Sequence, residues 1–239
     1  MVEYNAWPIG QLPKHLQRPE LDQIRELGYD WKDPRDVVDM FEKKVAKYAG
    51  SKYAVSVDCC SHGIFLALQC IKRHRKNIST ITIPKHTYVS VPQQIIHAGF
   101  KVKLEDREWS GIYQLKPYSI WDGATRWERD MYMGGFHIVS FQLKKRVPIG
   151  RGGMILLDNK NEYEYLKKIR YDGRDLDGKY DEDSFEYLGW HYYMTPEDAA
   201  RGIIIMDQIP EYNDDSGDWK NYPDLSKARF FNESVNYRY

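Results

Sequence analysis

The sequence lacks the features that mark several large classes of protein. No stretch approaches the roughly 20 consecutive apolar residues that a membrane-spanning helix needs, and no basic segment followed by an apolar run begins the chain. The 35 basic and 35 acidic residues cancel, so no net charge attracts nucleic acid or an anionic membrane. We therefore expect a soluble, cytoplasmic protein whose partners are small molecules or other proteins.

Cysteine and metal-ligand patterns are sparse as well. The chain has 3 cysteines, Cys59, Cys60 and Cys70, whose spacing fits neither a zinc site nor a redox pair. The 7 histidines show no spacing typical of metal ligands, and the sequence contains neither a P-loop nor the glycine motif of dinucleotide-binding folds. These absences predict reduced thiols and no structural metal.

Alternating strand and helix patterns predict an α/β fold. An amphipathic helix is predicted from Asp36 to Gly50, and a second helix, apolar on nearly all sides, from Ser61 to Ile71. Short apolar segments predict strands at residues 53–57, 80–83, 101–104, 118–121, 137–141 and 153–157. Further helices are predicted at residues 89–97, 160–170 and 196–209. Such alternation is typical of a three-layer α/β sandwich with a mostly parallel central sheet.

Two segments of irregular composition flank the predicted core. The first 35 residues contain scattered prolines and weak periodicity, which predicts an extended arm with short helical pieces. Residues 213–223 are polar and rich in turn residues. We therefore predict one packed domain over residues 1–210, including the arm, and a C-terminal tail or remnant of a second domain over residues 211–239.

Three predicted strand ends carry side chains of complementary chemistry, and open α/β sheets bind ligands at such ends. Ser61 begins a helix whose amide groups suit a phosphate, although a serine there is equally an ordinary helix cap. Asp122 follows an apolar strand, where it could face a cationic ring nitrogen or cap a turn. Lys145 lies in a basic, glycine-flanked loop, where it could form a Schiff base or face solvent. Each signal alone leaves both interpretations open.

The order and spacing of these segments resemble the DegT/DnrJ/StrS family of sugar aminotransferases, which depend on pyridoxal 5'-phosphate (PLP) and have fold type I. The resemblance runs from about Phe41 to Ile209 and implies the large domain of an aspartate aminotransferase-like enzyme. The motifs are residues 48–57 (YAGSKYAVSV), 84–89 (PKHTYV), 122–124 (DGA), 140–153 (SFQLKKRVPIGRGG) and 189–195 (GWHYYMT).

The resemblance implies a role for each of several residues. Lys145, five positions after Ser140, matches the lysine that binds PLP as a Schiff base. Asp122 matches the carboxylate that pairs with the pyridine nitrogen, and Tyr88 the aromatic side chain that stacks on the ring. The other cofactor contacts would come from Cys60, Ser61, Thr125, Ser140 and, across a homodimer interface, His191.

The sequence departs from the family pattern at several of these positions. The usual Ser-Gly-Thr of the phosphate loop is residues 59–61 (CCS), and Thr125 stands where histidine or glutamine is usual. His191 replaces an asparagine, Tyr193 an arginine and Arg151 a glutamate, and each replacement keeps some hydrogen-bonding capacity. The chain also stops where the family would begin a small C-terminal domain. A pocket without that domain would be open, suit an unusual acceptor or be completed by another chain.

These motifs predict a PLP-dependent aminotransferase that moves an amino group from an amino-acid donor to a keto sugar, by resemblance one linked to a nucleotide. Two other classes stay open. A sugar dehydratase of this family would resemble the chain with histidine in place of Lys145. The early end of the chain and the altered phosphate loop also leave room for a PLP-binding or cofactor-free regulatory or scaffolding protein. For His191, a structural role is also open, in which its side chain packs among the aromatic residues Trp190, Tyr192 and Tyr193.

Overall fold

A computed structural model describes residues 12–74, 80–176 and 178–232. The helices are α1 (Glu20–Glu26), α2 (Arg35–Ala49), α3 (Cys60–His74), α4 (Ser90–His97), α5 (Lys160–Ile169), α6 (Pro196–Met206) and α7 (Arg229–Asn232). The strands are β1 (Tyr53–Val57), β2 (Thr80–Pro84), β3 (Lys101–Glu105), β4 (Tyr113–Gln114), β5 (Ile120–Asp122), β6 (Phe136–Ser140) and β7 (Gly153–Leu157). Among the residues described, no helix has the length and apolar character needed to cross a membrane.

The predicted elements match the observed ones closely where the hydrophobic pattern is strong. β1 and β7 have the predicted bounds, and α2 ends as predicted at Gly50, whose φ of 82° suits a residue without a side chain. The sequence does not predict β4, because a strand of two residues is too short to show an alternating pattern.

The α/β class is confirmed, but the central sheet is mixed rather than mostly parallel. Its strands are hydrogen-bonded in the order β1-β7-β6-β5-β4, while β2 and β3 form a separate parallel pair. The β5–β6 ladder is parallel, and the three others in this sheet are antiparallel. β1, β5 and β6 share one direction, but β7 runs the opposite way between β1 and β6. A fully buried strand has the same apolar pattern in either direction, so the sequence does not reveal this reversal.

Helices cover both faces of the sheet, as a three-layer sandwich requires. Neighbouring residues of β6 point to opposite sides: Val139 packs in the core that contains Phe41 of α2, and Ile138 in the core that contains Leu66 of α3. Gly63 allows α3 to approach the sheet closely, since a Cβ there would lie 2.9 Å from Ile138 Cγ2.

Both terminal segments pack against this sandwich. In the N-terminal arm, Ile24 is fully buried and Arg18 contacts Asp198 of α6 at 2.8 Å. At the other end, residues 211–232 fold back towards the strand ends, where the Leu225 side chain is buried. Residues 1–11 of the arm, residues 75–79, residue 177 and residues 233–239 of the tail lie outside the described residues.

Candidate active site

A cavity of about 620 Å³ lies at the carboxyl ends of β1, β5 and β6. These three strands share one direction, so the residues that follow them meet at one edge of the sheet. The cavity is within the roughly 300–1,000 Å³ typical of small-molecule sites. Seven of the eight site residues predicted from the sequence line it, namely Cys60, Ser61, Tyr88, Asp122, Thr125, Ser140 and Lys145. The eighth, His191, does not.

Asp122 is a buried carboxylate on the floor of the cavity. Its Oδ2 accepts a hydrogen bond of 2.6 Å from the Tyr113 hydroxyl, and its Oδ1 accepts one of 3.0 Å from the Ala124 amide. Burial raises the pKa of Asp122, while these two hydrogen bonds and the charge of Lys145 act in the opposite direction. A cationic group placed beside this carboxylate would therefore stabilise its ionised form.

Lys145 is better placed than its neighbour Lys144 to act in the cavity. Both lysines line it, but Lys145 is half-buried and Lys144 is exposed. Burial and the charge of Asp122 raise the pKa of the Cys60 thiol, whereas the Lys145 ammonium lowers it. The charge of Lys145 thus favours the ionised forms of both Cys60 and Asp122.

The N-terminus of α3 forms one side of the cavity. Ser61 Oγ lies 2.6 Å from Ser90 Oγ at the start of α4, so two hydroxyl groups meet there. Gly153 allows β7 to begin directly against this helix end, since a Cβ would lie 2.6 Å from the Cys60 amide nitrogen. The first amides of a helix have no partner within the helix and favour anions. This side of the cavity therefore suits a phosphate.

A charged cluster borders the same helix end. Asp58 accepts hydrogen bonds of 2.6 Å from Arg151 Nη2 and 2.6 Å from His62 Nδ1. Burial lowers the pKa of His62, but Asp58 and Cys59 raise it to about 9, so the imidazole is protonated at neutral pH. The donor atoms of Asp58, Cys59 and His62 lie within 4.8 Å of one another. Both carboxylate oxygens of Asp58 bind cationic side chains, so the cluster forms an ion-pair network in this structure.

Two of the predicted residues have other partners in this structure. The Thr125 hydroxyl lies 3.0 Å from each of the carbonyl oxygens of Gly111 and Gly217, so its proton is used within the protein. His191 lies in a separate cavity of about 260 Å³, which shares Arg151 and Gly152 with the main one. Its side chain is 66% exposed, and its Nδ1 lies 2.7 Å from Asp172 Oδ2. Within one chain, His191 is therefore set apart from the other predicted residues.

Sequence reasoning missed several residues that line the main cavity, and four of them belong to two segments far from the predicted motifs. Trp109 and Tyr113 come from the loop and short strand before β5, and Asn221 and Tyr222 come from the C-terminal segment. Aromatic side chains within an otherwise polar, turn-rich segment are the signal that could have identified Tyr222. We call residues 215–225, which bring Asn221 and Tyr222 to the cavity, the strap.

Comparison with known proteins shows which family and fold the chain shares. The sequence profile of the DegT/DnrJ/EryC1/StrS aminotransferase family matches residues 19–120 and 123–220. The uncharacterized protein MJ1066 of Methanocaldococcus jannaschii is 24% identical over 231 residues, covering 75% of this chain and 59% of that protein. The spore coat polysaccharide biosynthesis protein SpsC of Bacillus subtilis is 38% identical over 80 residues, which are 34% of this chain and 20% of that protein.

Among solved structures, AtS13 from Actinomadura melliaura superimposes with a TM-score of 0.66 at 19% identity. The superposition covers 80% of this chain and 65% of AtS13. Similarity at this level of identity shows a shared fold, that of PLP-dependent fold type I enzymes, as the sequence predicts. This chain spans less than two thirds of the length of AtS13 and of MJ1066. The family profile covers most of the chain, which therefore belongs to the DegT/DnrJ/EryC1/StrS aminotransferase family.

Proposed function

We propose that this chain is a PLP-dependent aminotransferase that transfers an amino group from an amino-acid donor to a keto sugar. The observation that carries this proposal is the placement of two residues in one cavity: Lys145, in the loop after β6, and the buried Asp122, the last residue of the adjacent parallel strand β5. Membership of an aminotransferase family supports the same reaction class.

The residues of the cavity fit PLP. Asp122 would face the cationic ring nitrogen, and Lys145 would bind the aldehyde carbon covalently. The N-terminus of α3, with Ser61, would hold the phosphate together with Ser140 and Cys60. Tyr88 is 59% exposed although it lines the cavity, so its ring is available to cover a flat ligand. Bound PLP would supply an electron sink for the carbanion that forms when the donor loses its Cα proton.

The protein groups would then move and hold protons. The free Lys145 amine would act as the base that removes the Cα proton of the donor. Asp122, ionised against the ring nitrogen, would keep that nitrogen protonated. The low-dielectric surroundings that raise the pKa of Asp122 also strengthen its attraction to a cation placed beside it.

We further propose a homodimer in which His191 reaches the phosphate of the partner's site. His191 lies outside the main cavity of its own chain and is largely exposed, as a residue that acts across an interface should be. The acceptor is proposed to be a nucleotide-linked keto sugar, in agreement with the family and with the role in polysaccharide biosynthesis that names SpsC. The cytoplasm stays the predicted compartment.

A reduction experiment tests the proposal. The purified protein is incubated with PLP, its visible absorbance is recorded, and borohydride is added before peptide mass spectrometry. We expect a visible band that disappears on reduction, with the label on Lys145. Lys145→Ala should abolish both signals, while Lys144→Ala, the matched change at the adjacent exposed lysine, should keep them. A protein without the band, or a label on Lys144, would contradict the assignment. Conversion of the band by an amino donor then distinguishes amino transfer from simple PLP binding.

A further inference from the structure

The strap is fixed to the domain at both ends. At its start, the Asp215 carboxylate accepts hydrogen bonds of 3.0 and 2.8 Å from Arg126 Nε and Nη2 and one of 3.0 Å from Ser110 Oγ. At its end, the Leu225 amide donates to the Lys85 carbonyl at 2.9 Å, and the Leu225 side chain is buried. A two-pronged guanidinium–carboxylate pair and a buried side chain give the strap a defined position.

Between these ends, the strap contacts the segments that carry the aromatic residues of the cavity. The Trp219 amide donates to the Trp109 carbonyl at 3.1 Å. His86 Nδ1 donates to the Tyr222 carbonyl at 2.9 Å, and the His86 carbonyl accepts from Trp109 Nε1 at 2.8 Å. His86 lies two residues before Tyr88, so the strap is tied directly to the segment predicted to stack on the cofactor.

The Tyr222 side chain continues an aromatic wall that begins at the cavity floor. The rings of Tyr113 and Trp109 have centroids 4.8 Å apart, and those of Trp109 and Tyr222 are 5.6 Å apart. The Tyr113 hydroxyl in turn donates a hydrogen bond to Asp122. Burial raises the pKa of Tyr222 to about 12, and the charges of Asp122 and Cys60 add to this effect. The Tyr222 phenol is therefore neutral, and it lines the same cavity as the Asp122 carboxylate.

We propose that Tyr222 is a positioning residue of the cavity, which the strap places against any ring that pairs with Asp122. Part of the aromatic wall of the cavity is then supplied by this chain's own C-terminal segment. The identity of the ligand, PLP, rests on the proposed function, whereas the placement of Tyr222 against Trp109, in the cavity that Cys60 and Asp122 also line, does not. Removal of its ring should open the cavity and weaken the binding of a flat ligand.

Two measurements on Tyr222→Ala test this inference. In cofactor-free protein, alkylation of Cys60 by iodoacetamide, located by fragmentation of the labelled peptide, should be faster than in the wild type. The buried Cys70 serves as an internal reference. In PLP titrations, the dissociation constant should rise about threefold to tenfold, the range expected when one aromatic contact is lost. Tyr222→Phe, which keeps the ring, should label Cys60 at the wild-type rate.

Tyr212→Ala is the matched control, because Tyr212 is 73% exposed and is not among the residues that line the cavity. Asp215→Asn weakens the anchor at the start of the strap but keeps the Tyr222 side chain. It should change both measurements in the same direction as Tyr222→Ala, and it provides an independent test if Tyr222→Ala misfolds. Unchanged Cys60 labelling together with unchanged PLP affinity in folded Tyr222→Ala would overturn the inference. A wild type that binds no PLP would refute the proposed function, while the Cys60 labelling would still decide the role of Tyr222.

Discussion

The Tyr113 phenol donates a hydrogen bond of 2.6 Å to the Asp122 carboxylate at the floor of the cavity. Tyr113 also contacts the Thr87 hydroxyl, which donates to it because the phenolic proton is already used by Asp122. All three residues are buried. The carboxylate is thus oriented by a short relay of hydroxyl groups.

Tyr113→Phe should raise the pKa of Asp122. Burial already raises this pKa, and the Tyr113 hydrogen bond opposes the rise, so its removal extends it. A hydrogen bond to a charged group contributes about 1.5–3 kcal/mol, which corresponds to roughly one to two pKa units. PLP affinity should be measured between pH 5 and 9. As the pH is lowered, the affinity of Tyr113→Phe for PLP should therefore begin to fall at a higher pH than that of the wild type. Tyr212→Phe is the control and should keep the wild-type pH dependence. If the loss of affinity at acid pH also occurs at the wild-type pH in Tyr113→Phe, the hydrogen-bond relay to Asp122 is contradicted.

Asp122→Asn should leave PLP bound but slow its reaction with an amino donor. Lys145 and the phosphate contacts still hold the cofactor, whereas a neutral amide cannot keep the ring nitrogen protonated. The loss of one preorganised electrostatic contact lowers turnover by on the order of 10²–10³. Single-turnover absorbance changes after mixing with the donor measure this rate. A wild-type rate in Asp122→Asn would refute the role assigned to the carboxylate.

Gly153→Ala should disturb the phosphate end of the cavity. The new Cβ would lie 2.6 Å from the Cys60 amide nitrogen, a backbone atom that cannot move aside alone. Forced overpacking costs about 1–3 kcal/mol, and we expect a lower melting temperature together with weaker binding of PLP or inorganic phosphate. Gly178→Ala is the control, because a Cβ there would meet nothing within 4 Å. Equal melting temperatures and affinities in the two variants would show that the close approach is unimportant.

Glu42→Gln should lower stability at neutral pH and change its pH dependence. Burial alone would raise the pKa of Glu42, but Arg170 and Lys167 lower it to about 2. This depressed pKa stabilises the fold above the ordinary value of 4.5, and the contribution is lost as the pH falls towards 2. The free energy of unfolding of the wild type should thus decline between about pH 5 and 2. That of Glu42→Gln should decline less over the same range.

At pH 7, the same variant leaves the buried Arg170 without its carboxylate partner, which costs about 3–5 kcal/mol of unfolding free energy. Urea unfolding at pH 7 and at pH 3 measures both effects. Glu164→Gln provides the control, because its ion pair with Lys160 is exposed and contributes at most about 1 kcal/mol. Equal losses in the two variants at pH 7 would contradict a special role for the buried pair.

His191→Ala should weaken PLP binding in an intact dimer. His191 lies outside its own main cavity, and an imidazole can donate a hydrogen bond to a phosphate or add a charge when protonated. Sedimentation gives the oligomeric state, and PLP titration gives the affinity. His97→Ala, at an exposed position at the end of α4, is the control. Unchanged affinity, or a monomer that binds PLP equally well, would remove the shared site.

The sequence by itself determined the elements that depend on local pattern. The apolar runs of β1 and β7, the amphipathic α2 and its stop at Gly50 are encoded by neighbouring residues, so periodicity and turn chemistry predict them. The motifs around Lys145, Asp122 and Ser61 follow strands, and strand ends of common direction meet at one edge of a sheet. Their convergence in one cavity could therefore be predicted before any contact was known.

Only the tertiary structure decided the contacts between segments far apart in the chain. The reversed direction of β7 leaves no mark on a uniformly apolar strand, and β4, which carries Tyr113, is too short to form a pattern. The strap reaches the cavity through pairs such as Thr125 with Gly217 and Arg126 with Asp215, about 90 positions apart. Such pairs depend on how the whole sandwich packs, since nothing in the polar sequence around Tyr222 specifies which surface it will cover.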